Sequence, residues 1–223
     1  MAVNKPDTDI CQSPPAYTTV IHTASTLLSS PIVLTDLTAL INANYQDFYT
    51  PFIPDASKYF RLPNHSSLPE ELGPSGFMIV KYDGQVPVAS SGAKLWDPGV
   101  KVASNTRLEN EYEIGPRPGD GSEWERIMTS VRQEDKYKGK GLAKEMVRRV
   151  EAECARRFKE ENRRCDVDGQ TESGSKVRCI TRCTKGLVSG FHEKLGYKVV
   201  AEELVPGMEQ SEIRILTMER FLW

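Results

Sequence analysis

The feature that most constrains the fold is a short strand, a glycine-containing turn and a long amphipathic helix, which follow one another within residues 124–158. Residues 124–131 (WERIMTSV) are rich in β-branched and aromatic side chains, which favour a strand. The apolar residues that follow recur at helical spacing and define one helix face: Leu142, Ala143, Met146, Val147, Val150, Cys154 and Phe158. The pattern predicts a sheet with this helix packed across it.

The turn before the helix carries two glycines, Gly139 and Gly141. A helix start leaves about four backbone N–H groups without acceptors and carries the positive end of the helix dipole, so a glycine-lined start favours an anion such as phosphate. Cations outnumber acids around this turn, with Arg132, Lys136, Lys138, Lys140 and Lys144 against Glu134 and Asp135. The sequence therefore predicts a phosphate site here, in a chain whose net charge is only −2.

Two well-known phosphate-binding loops are excluded. A P-loop requires G-x-x-x-x-G-K-[ST], which no segment of the chain matches. The dinucleotide-binding loop requires G-x-G-x-x-G, but Lys144 occupies the position of the third glycine after Gly139 and Gly141.

The segment instead resembles the acyl-CoA pyrophosphate loop of the GNAT superfamily of N-acetyltransferases, whose pattern is [QR]-x-x-G-x-[GA]. Gly141 and Ala143 match this pattern, whereas Lys138 stands where the family has Gln or Arg. A second segment, residues 190–197 (GFHEKLGY), is similar to the family's F-Y-x-x-L-G-F motif. The resemblance extends from about residue 77 to the C-terminus.

The resemblance implies an α/β fold whose mixed, mostly antiparallel central sheet is splayed at a bulge and flanked by helices on both faces. We predict a flexible N-terminal leader over residues 1–16 and a single GNAT acyltransferase domain over residues 17–223. Local patterns predict a first strand (17–23), a helix (37–48) capped at Thr35-Asp36, a long loop (50–76) and a hairpin (77–95) with a type I′ turn at Asp83-Gly84. They further predict a strand (176–183), a short helix (187–195) and a terminal hairpin (199–205 with 212–221).

Composition favours one soluble globular domain, because 39% of the 223 residues are hydrophobic and the charges are mixed. The small net charge gives no field that favours nucleic acid or an acidic membrane. Neither a membrane-spanning run nor a signal peptide is recognised, so we expect a cytoplasmic protein. The chain has five cysteines, and Cys179 and Cys183 share one face of a predicted strand. We expect reduced, buried thiols and no metal.

The resemblance implies acetyl-CoA as cosubstrate and assigns its diphosphate and pantetheine arm to one stretch of chain: Val131, Arg132, Gln133, Lys138, Gly139, Lys140, Gly141, Leu142 and Ala143. The segment from Val131 to Gly139 is about two residues longer than is common in the family, which would shift the position of the pyrophosphate-binding turn. Lys185 occupies a position where the family often has Asn. It is either a cofactor contact or a simple exposed lysine.

Amide formation by this family proceeds by direct attack of an amine on the thioester in a ternary complex. An acceptor ammonium with a pKa near 10 is deprotonated in only about one molecule in a thousand at neutral pH, so a base helps. Strand alternation places Glu123 and Glu125 on one face together with Ile127 and Thr129, and in the family a strand glutamate often has this role. The alternative is that both glutamates are solvated or only polarise the acceptor.

His192 stands where the family commonly has a tyrosine that protonates the departing thiolate. It is a substitute acid, a hydrogen-bonding wall of the thiol pocket, or an ordinary residue beside Val188 and Leu195. The last two alternatives leave room for a CoA-binding sensor or scaffold without transferase activity, or for a GNAT fold diverted to other chemistry.

The predicted acceptor is a primary amine of a small molecule or peptide, and the predicted assembly is a monomer or homodimer. In the family, the segment between the first two strands shapes the acceptor pocket, which would bring Tyr59, Phe60, Arg61, Asn64 and His65 to the substrate; a surface lid without specificity is the alternative. Acidic side chains that would attract a cation if they lined the cleft are Glu109, Glu111 and Glu113.

Overall fold

The computed structural model describes residues 17–50, 60–96, 107–108, 122–165, 176–205 and 213–222. The predicted leader at residues 1–16 lies outside the described residues, and so do Tyr59, Glu109, Glu111 and Glu113.

Eight strands and five helices make up the described part of the chain. The strands are β1 (Tyr17–Thr23), β2 (Phe77–Asp83), β3 (Val86–Leu95), β4 (Arg107–Leu108), β5 (Glu123–Val131), β6 (Val177–Thr184), β7 (Lys198–Val205) and β8 (Ile213–Leu222). The helices are α1 (Ala24–Leu28), α2 (Pro31–Tyr49), α3 (Ser67–Leu72), α4 (Leu142–Cys165) and α5 (Ser189–Lys194).

All the strands belong to one sheet, in the order β1-β2-β3-β5-β6-β8-β7-β4. Strands β5 and β6 are parallel and are joined through α4, whereas every other neighbouring pair is antiparallel. A parallel pair requires a crossover connection, which explains why the longest described helix lies between these two strands. The mixed, mostly antiparallel sheet is confirmed.

Each face of the sheet packs against helices around its own hydrophobic core. On one face, the apolar stripe of α4 contributes Leu142, Met146, Val147, Val150, Cys154 and Phe158. On the other face, side chains from α1, α2 and α3 pack together, including Leu27, Leu37, Ile41, Leu68 and Leu72. Burial of each such side chain stabilises the fold by about 1.5–3 kcal/mol. The predicted α4 stripe and the flanking of both sheet faces by helices are confirmed.

Three local predictions are corrected. Helix α2 begins at Pro31 rather than at residue 37, because proline fits the first turn of a helix, where its missing N–H has no intrahelical acceptor. The loop predicted for residues 50–76 contains α3, whose Pro69 also lies in a first turn. Pairing of Asp83 with Val86 leaves Gly84 and Gln85 as the central hairpin residues, and a positive φ at Gly84 without one at Gln85 excludes a type I′ turn.

Candidate functional site

Strands β5 and β6 separate partway along their length. Their pairing joins Glu123–Arg126 with Arg178–Thr181 and does not continue, although β5 runs on to Val131 and β6 to Thr184. The register between β3 and β5 shifts beside this point, and Met128 has a φ of 49°. A bulge of this kind bends a strand away from its neighbour. The backbone edge of β5 beyond Arg126 therefore faces a gap, as the prediction of a sheet splayed at a bulge requires.

The bulge also reverses the side-chain alternation of β5. Arg126 Nη1 donates to Oγ1 of Thr129 at 2.6 Å, so these residues lie on the same face although they are three positions apart. Ile127 packs in the core on the opposite face, beside α2. The prediction that Thr129 shares a face with Ile127 and Glu125 is wrong, because regular alternation does not include the extra residue of a bulge.

A cavity of about 690 Å³ occupies the gap between the two strands and extends to both faces of the sheet. On the α2 side its walls include Asn44, Tyr45, Phe48, Tyr49, Arg61, Glu71 and Glu125. Between the strands and on the α5 side they include Arg126, Thr129, Val131, Gln133, Ala143, Thr181, Val188, Phe191 and His192. The volume is that of a small-molecule or cofactor site.

Helix α2 spans the gap and is hydrogen-bonded to the end of each strand. Asn44 Nδ2 donates to the backbone oxygen of Val131 at 2.9 Å, at the last residue of β5. The hydroxyls of Tyr49 and Thr184 lie 2.7 Å apart, at the last residue of β6. These two contacts hold one wall of the cavity in place.

The glycine turn lies where the gap meets the start of α4. Gly139 and Gly141 have φ values of 68° and 74°, which favour glycine, and a Cβ added at either would meet no neighbouring atom. Glycine is therefore favoured at these two positions by the backbone conformation and not by a lack of space for a side chain. Glu145 N donates to the oxygen of Gly141, so the amides of residues 142–144 precede the first helical hydrogen bond.

Side chains beneath the turn anchor it to the sheet. Tyr137 is buried, and its hydroxyl donates to Asp83 Oδ2 at 2.8 Å. Lys81 Nζ lies 2.5 Å from Oε2 of Glu145 in the first turn of α4. The long connection before the turn thus contributes a buried aromatic ring to the core beneath it.

The structure divides the predicted cofactor residues into three groups. Val131, Gln133 and Ala143 line the cavity. Lys138, Gly139, Lys140 and Gly141 form the exposed turn, and Leu142 starts the helix with its side chain in the core.

The two remaining residues, Arg132 and Lys185, have protein partners. Arg132 Nε donates to the oxygen of Pro87 at 2.7 Å. Lys185 Nζ donates to Glu202 Oε1 at 2.8 Å and lies outside the cavity lining, which favours the simple exposed lysine among the two alternatives.

The two glutamates predicted as candidate bases have different surroundings. Glu125 lines the cavity and lies 3.3 Å from Lys94 Nζ, with its side chain partly accessible. Glu123 is outside the cavity lining and accepts from Arg178 Nη1 at 2.9 Å. Of the two glutamates, Glu125 is therefore the one that faces the cavity.

His192 is 5% exposed and faces the cavity from α5. Its Nδ1 lies 2.9 Å from Arg126 Nη2, and Nε2 is farther from the same atom, at 3.4 Å. Burial, together with the charge of Arg126, lowers the pKa of the imidazole to about 3. His192 is therefore neutral at pH 7. Because a guanidinium can only donate and Nδ1 is the nearer nitrogen, we assign Nδ1 as the acceptor and the single proton to Nε2.

The described residues that were predicted to shape the acceptor pocket do not all line the cavity. Arg61 lines it and forms an ion pair with Glu71, another lining residue. Phe60 and His65 are exposed, and Asn64 Oδ1 accepts from the backbone N–H of residue 67 at 3.0 Å. Arg61 is the one described member of the set that meets the site.

Sequence reasoning missed two contributors to the site, Arg126 and the tyrosine pair of α2. Arg126 is two residues after Trp124, a core residue, so strand alternation already indicates from the sequence that the charged Arg126 side chain faces inward. Tyr45 and Tyr49 have ring centroids 4.3 Å apart at the cavity wall, and burial with the neighbouring Tyr49 raises the pKa of Tyr45 to about 12. Their position depends on how α2 crosses the sheet, which local pattern does not predict.

A parallel strand pair that separates at a bulge, with an open helix start at the mouth of the gap, characterises this α/β fold. Solved structures share the fold. The aminoglycoside 6′-N-acetyltransferase from Enterococcus faecium aligns with a TM-score of 0.55 at 12% identity, over 92% of this chain and 96% of that chain. The PaiA N-acetyltransferase from Thermoplasma acidophilum, in complex with coenzyme A, gives 0.52 at 11% identity over 92% and 99%.

An N-acetyltransferase from Staphylococcus aureus Mu50 aligns with a TM-score of 0.54 at 9% identity, over 92% of this chain and 98% of that chain. The chain has the GNAT fold, the fold of the GNAT superfamily of N-acetyltransferases. No protein-family model and no curated protein sequence matches it.

Three further properties concern the part of the chain that the structure describes. No three His, Cys, Asp or Glu side chains are grouped there as a metal ion would require. None of the helices there combines the length and the apolar character needed to cross a membrane. Cys154, Cys179 and Cys183 are free and buried, as predicted for Cys179 and Cys183.

Proposed function

We propose that the protein is an acyl-CoA-dependent N-acyltransferase that transfers acetyl from acetyl-CoA to a primary amine. The observation that carries the proposal is the gap between β5 and β6, which is about 690 Å³ in volume and ends at the glycine turn of α4. The diphosphate binds the amides at the start of α4, and the cations around the turn supplement the helix dipole. The pantetheine arm extends along the free edge of β5, beside Val131 and Gln133.

The amine attacks the thioester carbonyl directly. Glu125 attracts the ammonium from the α2 side and takes up its proton through water, which leaves the neutral amine as nucleophile. Backbone N–H groups at the bulge, around Met128, stabilise the negative charge that develops on the carbonyl oxygen. General-base assistance of this kind contributes about 10²–10⁴-fold to rate.

The departing thiolate is stabilised by a hydrogen bond rather than by proton transfer. His192 has its proton on Nε2, and a neutral imidazole can donate that hydrogen bond to sulfur without losing the proton. Its low pKa makes imidazolium too rare at pH 7 to act as an acid. Of the three roles considered for His192, we therefore propose that it lines the thiol pocket and donates a hydrogen bond without transferring a proton.

The acceptor binds on the α2 side, where aromatic and acidic groups meet. Tyr45, Phe48 and Tyr49 provide aromatic surface, and Glu125, whose partner Lys94 is outside the cavity lining, provides negative charge that attracts an ammonium group. This composition supports a small amine or a peptide terminus as acceptor.

Isothermal titration calorimetry with CoA and with acetyl-CoA tests the cofactor part of the proposal. Pantetheine, which lacks the nucleotide and its diphosphate, is the matched control and is expected to bind at least about tenfold more weakly, because charge-assisted hydrogen bonds are lost. Equal binding of pantetheine and CoA would remove the assigned role of the α4 turn. No binding of CoA would overturn the proposal.

A thiol-release assay with acetyl-CoA and a panel of primary amines tests transfer. Release that depends on the amine supports the enzyme. Tight CoA binding without release for any amine would favour the alternative of a CoA-binding protein without transferase activity.

A further inference from the structure

Within the part of the chain that the structure describes, Arg126 is a buried cation that is hydrogen-bonded to no carboxylate. The residue is 3% exposed and lines the cavity. Its nitrogen atoms donate to Thr129 Oγ1 at 2.6 Å, Thr181 Oγ1 at 3.1 Å, His192 Nδ1 at 2.9 Å and Tyr197 Oη at 3.4 Å. All four acceptors are neutral.

One described carboxylate, that of Glu151, is linked to Arg126 through another group. Tyr197 Oη donates to Glu151 Oε1 at 2.9 Å, and the same carboxylate accepts from Arg220 Nη1 at 3.0 Å. Glu151 is thus already paired with a second arginine. Burying a cation costs free energy unless an anion compensates it, so a buried arginine bonded only to neutral groups and facing a cavity points to an anionic ligand.

The position of Arg126 indicates which part of a ligand it meets. It is the last residue of β5 that pairs with β6, so it lies at the closed end of the gap. Val131, at the open end, is five residues further along the strand, a distance of about 17 Å at the usual rise per residue. A cofactor whose diphosphate binds at the α4 turn extends its acyl end toward Arg126.

We propose that the preferred acyl donor is a CoA thioester of a dicarboxylic acid, whose free carboxylate pairs with Arg126. The proposal rests on the proposed function and narrows its donor class, with acetyl-CoA as the slower donor. The amine nitrogen forms a bond to the thioester carbon, the carbon–sulfur bond breaks, CoA leaves as the thiolate, and the amine proton passes through water to Glu125. The free carboxylate is unchanged by the reaction.

The test compares succinyl-CoA with butyryl-CoA, which have four-carbon acyl groups that differ in a terminal carboxylate against a methyl group. Binding to the wild-type protein, measured by calorimetry, needs neither a variant nor a known acceptor. Succinyl-CoA is expected to bind at least about tenfold more tightly, because it provides the missing anion for a desolvated arginine. Equal affinity, or tighter binding of butyryl-CoA, would overturn the proposal.

Two variants locate the effect. Arg126→Gln is expected to reduce the succinyl/butyryl affinity ratio to about one, whereas Arg182→Gln is expected to leave it unchanged. Arg182 also lines the cavity but is already paired with Glu203, at 2.8 Å. If Arg126→Gln does not fold, the wild-type comparison still decides.

The failure of this proposal is distinguishable from failure of the proposed function. A protein that binds CoA, butyryl-CoA and succinyl-CoA with the same affinity retains the cofactor site and loses only the donor preference. If Arg126→Gln slows transfer from both donors by the same factor and the wild type has no preference, the guanidinium acts on the common thioester group, which contradicts a carboxylate partner. A protein that binds no CoA derivative overturns both proposals.

Discussion

Arg126 Nη2 lies 2.9 Å from His192 Nδ1, and burial of the ring, together with this contact, lowers the pKa of the imidazole so that it is neutral at pH 7. The guanidinium donates, so Nδ1 must accept, and a second proton on the ring would place two positive groups in contact without water between them. The residue in the position of the family's tyrosine is therefore a neutral hydrogen-bonding group.

The first prediction concerns stability against pH. The pKa of His192 is about 3 in the folded protein, lowered by burial and by Arg126, and near 6.5 when unfolded. Between these values the unfolded chain binds a proton that the folded protein does not, so this contribution is complete above about pH 6.5 and is lost as the pH falls toward 3. From pH 7 to pH 5 it amounts to about 2 kcal/mol.

Chemical denaturation at pH 7 and pH 5 measures this loss. The His192→Gln variant has no imidazole to titrate, so its free energy of unfolding should fall by about 2 kcal/mol less over this interval. An identical fall in both proteins would show that the imidazole is not held neutral by the fold.

The second prediction concerns turnover. If His192 donates a hydrogen bond through Nε2 without proton transfer, kcat/KM between pH 5.5 and 8 should contain no ionisation assigned to His192. The His192→Phe variant should lower kcat by about tenfold at every pH, the loss of roughly one hydrogen bond. Loss of a pH inflection together with the imidazole would instead identify His192 as an acid.

The third prediction concerns the glycine turn. Gly141→Ala places a side chain at a φ of 74°, which costs about 1 kcal/mol, and the distorted turn should weaken CoA binding by about tenfold. Gly84→Ala is a matched control, since its φ is 62° and an added Cβ there also meets no atom. The control should lose similar stability and keep its CoA affinity. Calorimetry and thermal unfolding separate the two effects, and equal affinity losses would count against the diphosphate site.

The fourth prediction separates the two glutamates. Glu125→Gln removes the carboxylate that faces the cavity and should lower kcat by about 10²-fold at pH 7. Glu123→Gln removes one of the two carboxylates that pair with the buried Arg178, the other being Glu219, and should lower the free energy of unfolding rather than the rate. Steady-state kinetics and denaturation on both variants provide the comparison. A larger rate loss for Glu123→Gln would exchange their roles.

Local pattern was sufficient for the elements that position the site. The strand before residue 132, the glycine turn and the apolar stripe of α4 follow from periodicity and turn chemistry, and the first hairpin follows from its alternating strands. The resemblance to a known family then provided the splayed sheet, which no local signal in β5 predicts. The prediction began α2 at residue 37 and placed a loop over residues 50–76, whereas the structure has Pro31 and Pro69 in the first turns of helices.

The interior of the site depends on contacts between distant parts of the chain. Arg126 and His192 are 66 residues apart, and Tyr49 and Thr184 are 135 apart. The resemblance predicted that His192 lies at the thiol end of the site but did not predict its protonation state, because burial of the ring and the arginine beside it depend on other elements. The bulge at Met128 inverted the expected face of Thr129, since a single added residue reverses alternation without changing the composition of the strand.

Helix α2 is fastened to the tip of each diverging strand, through Asn44 on one side and Tyr49 on the other. Because the same helix is bonded to the ends of both strands, the width of the gap between them depends on the lengths of these two side chains rather than on the sheet. The proposed function places the nucleotide end at the start of α4, on the other face of the sheet. Under that proposal, substitutions along α2 change which nucleophiles enter without changing the contacts of α4 with the cofactor, so the two halves of the site can diverge separately.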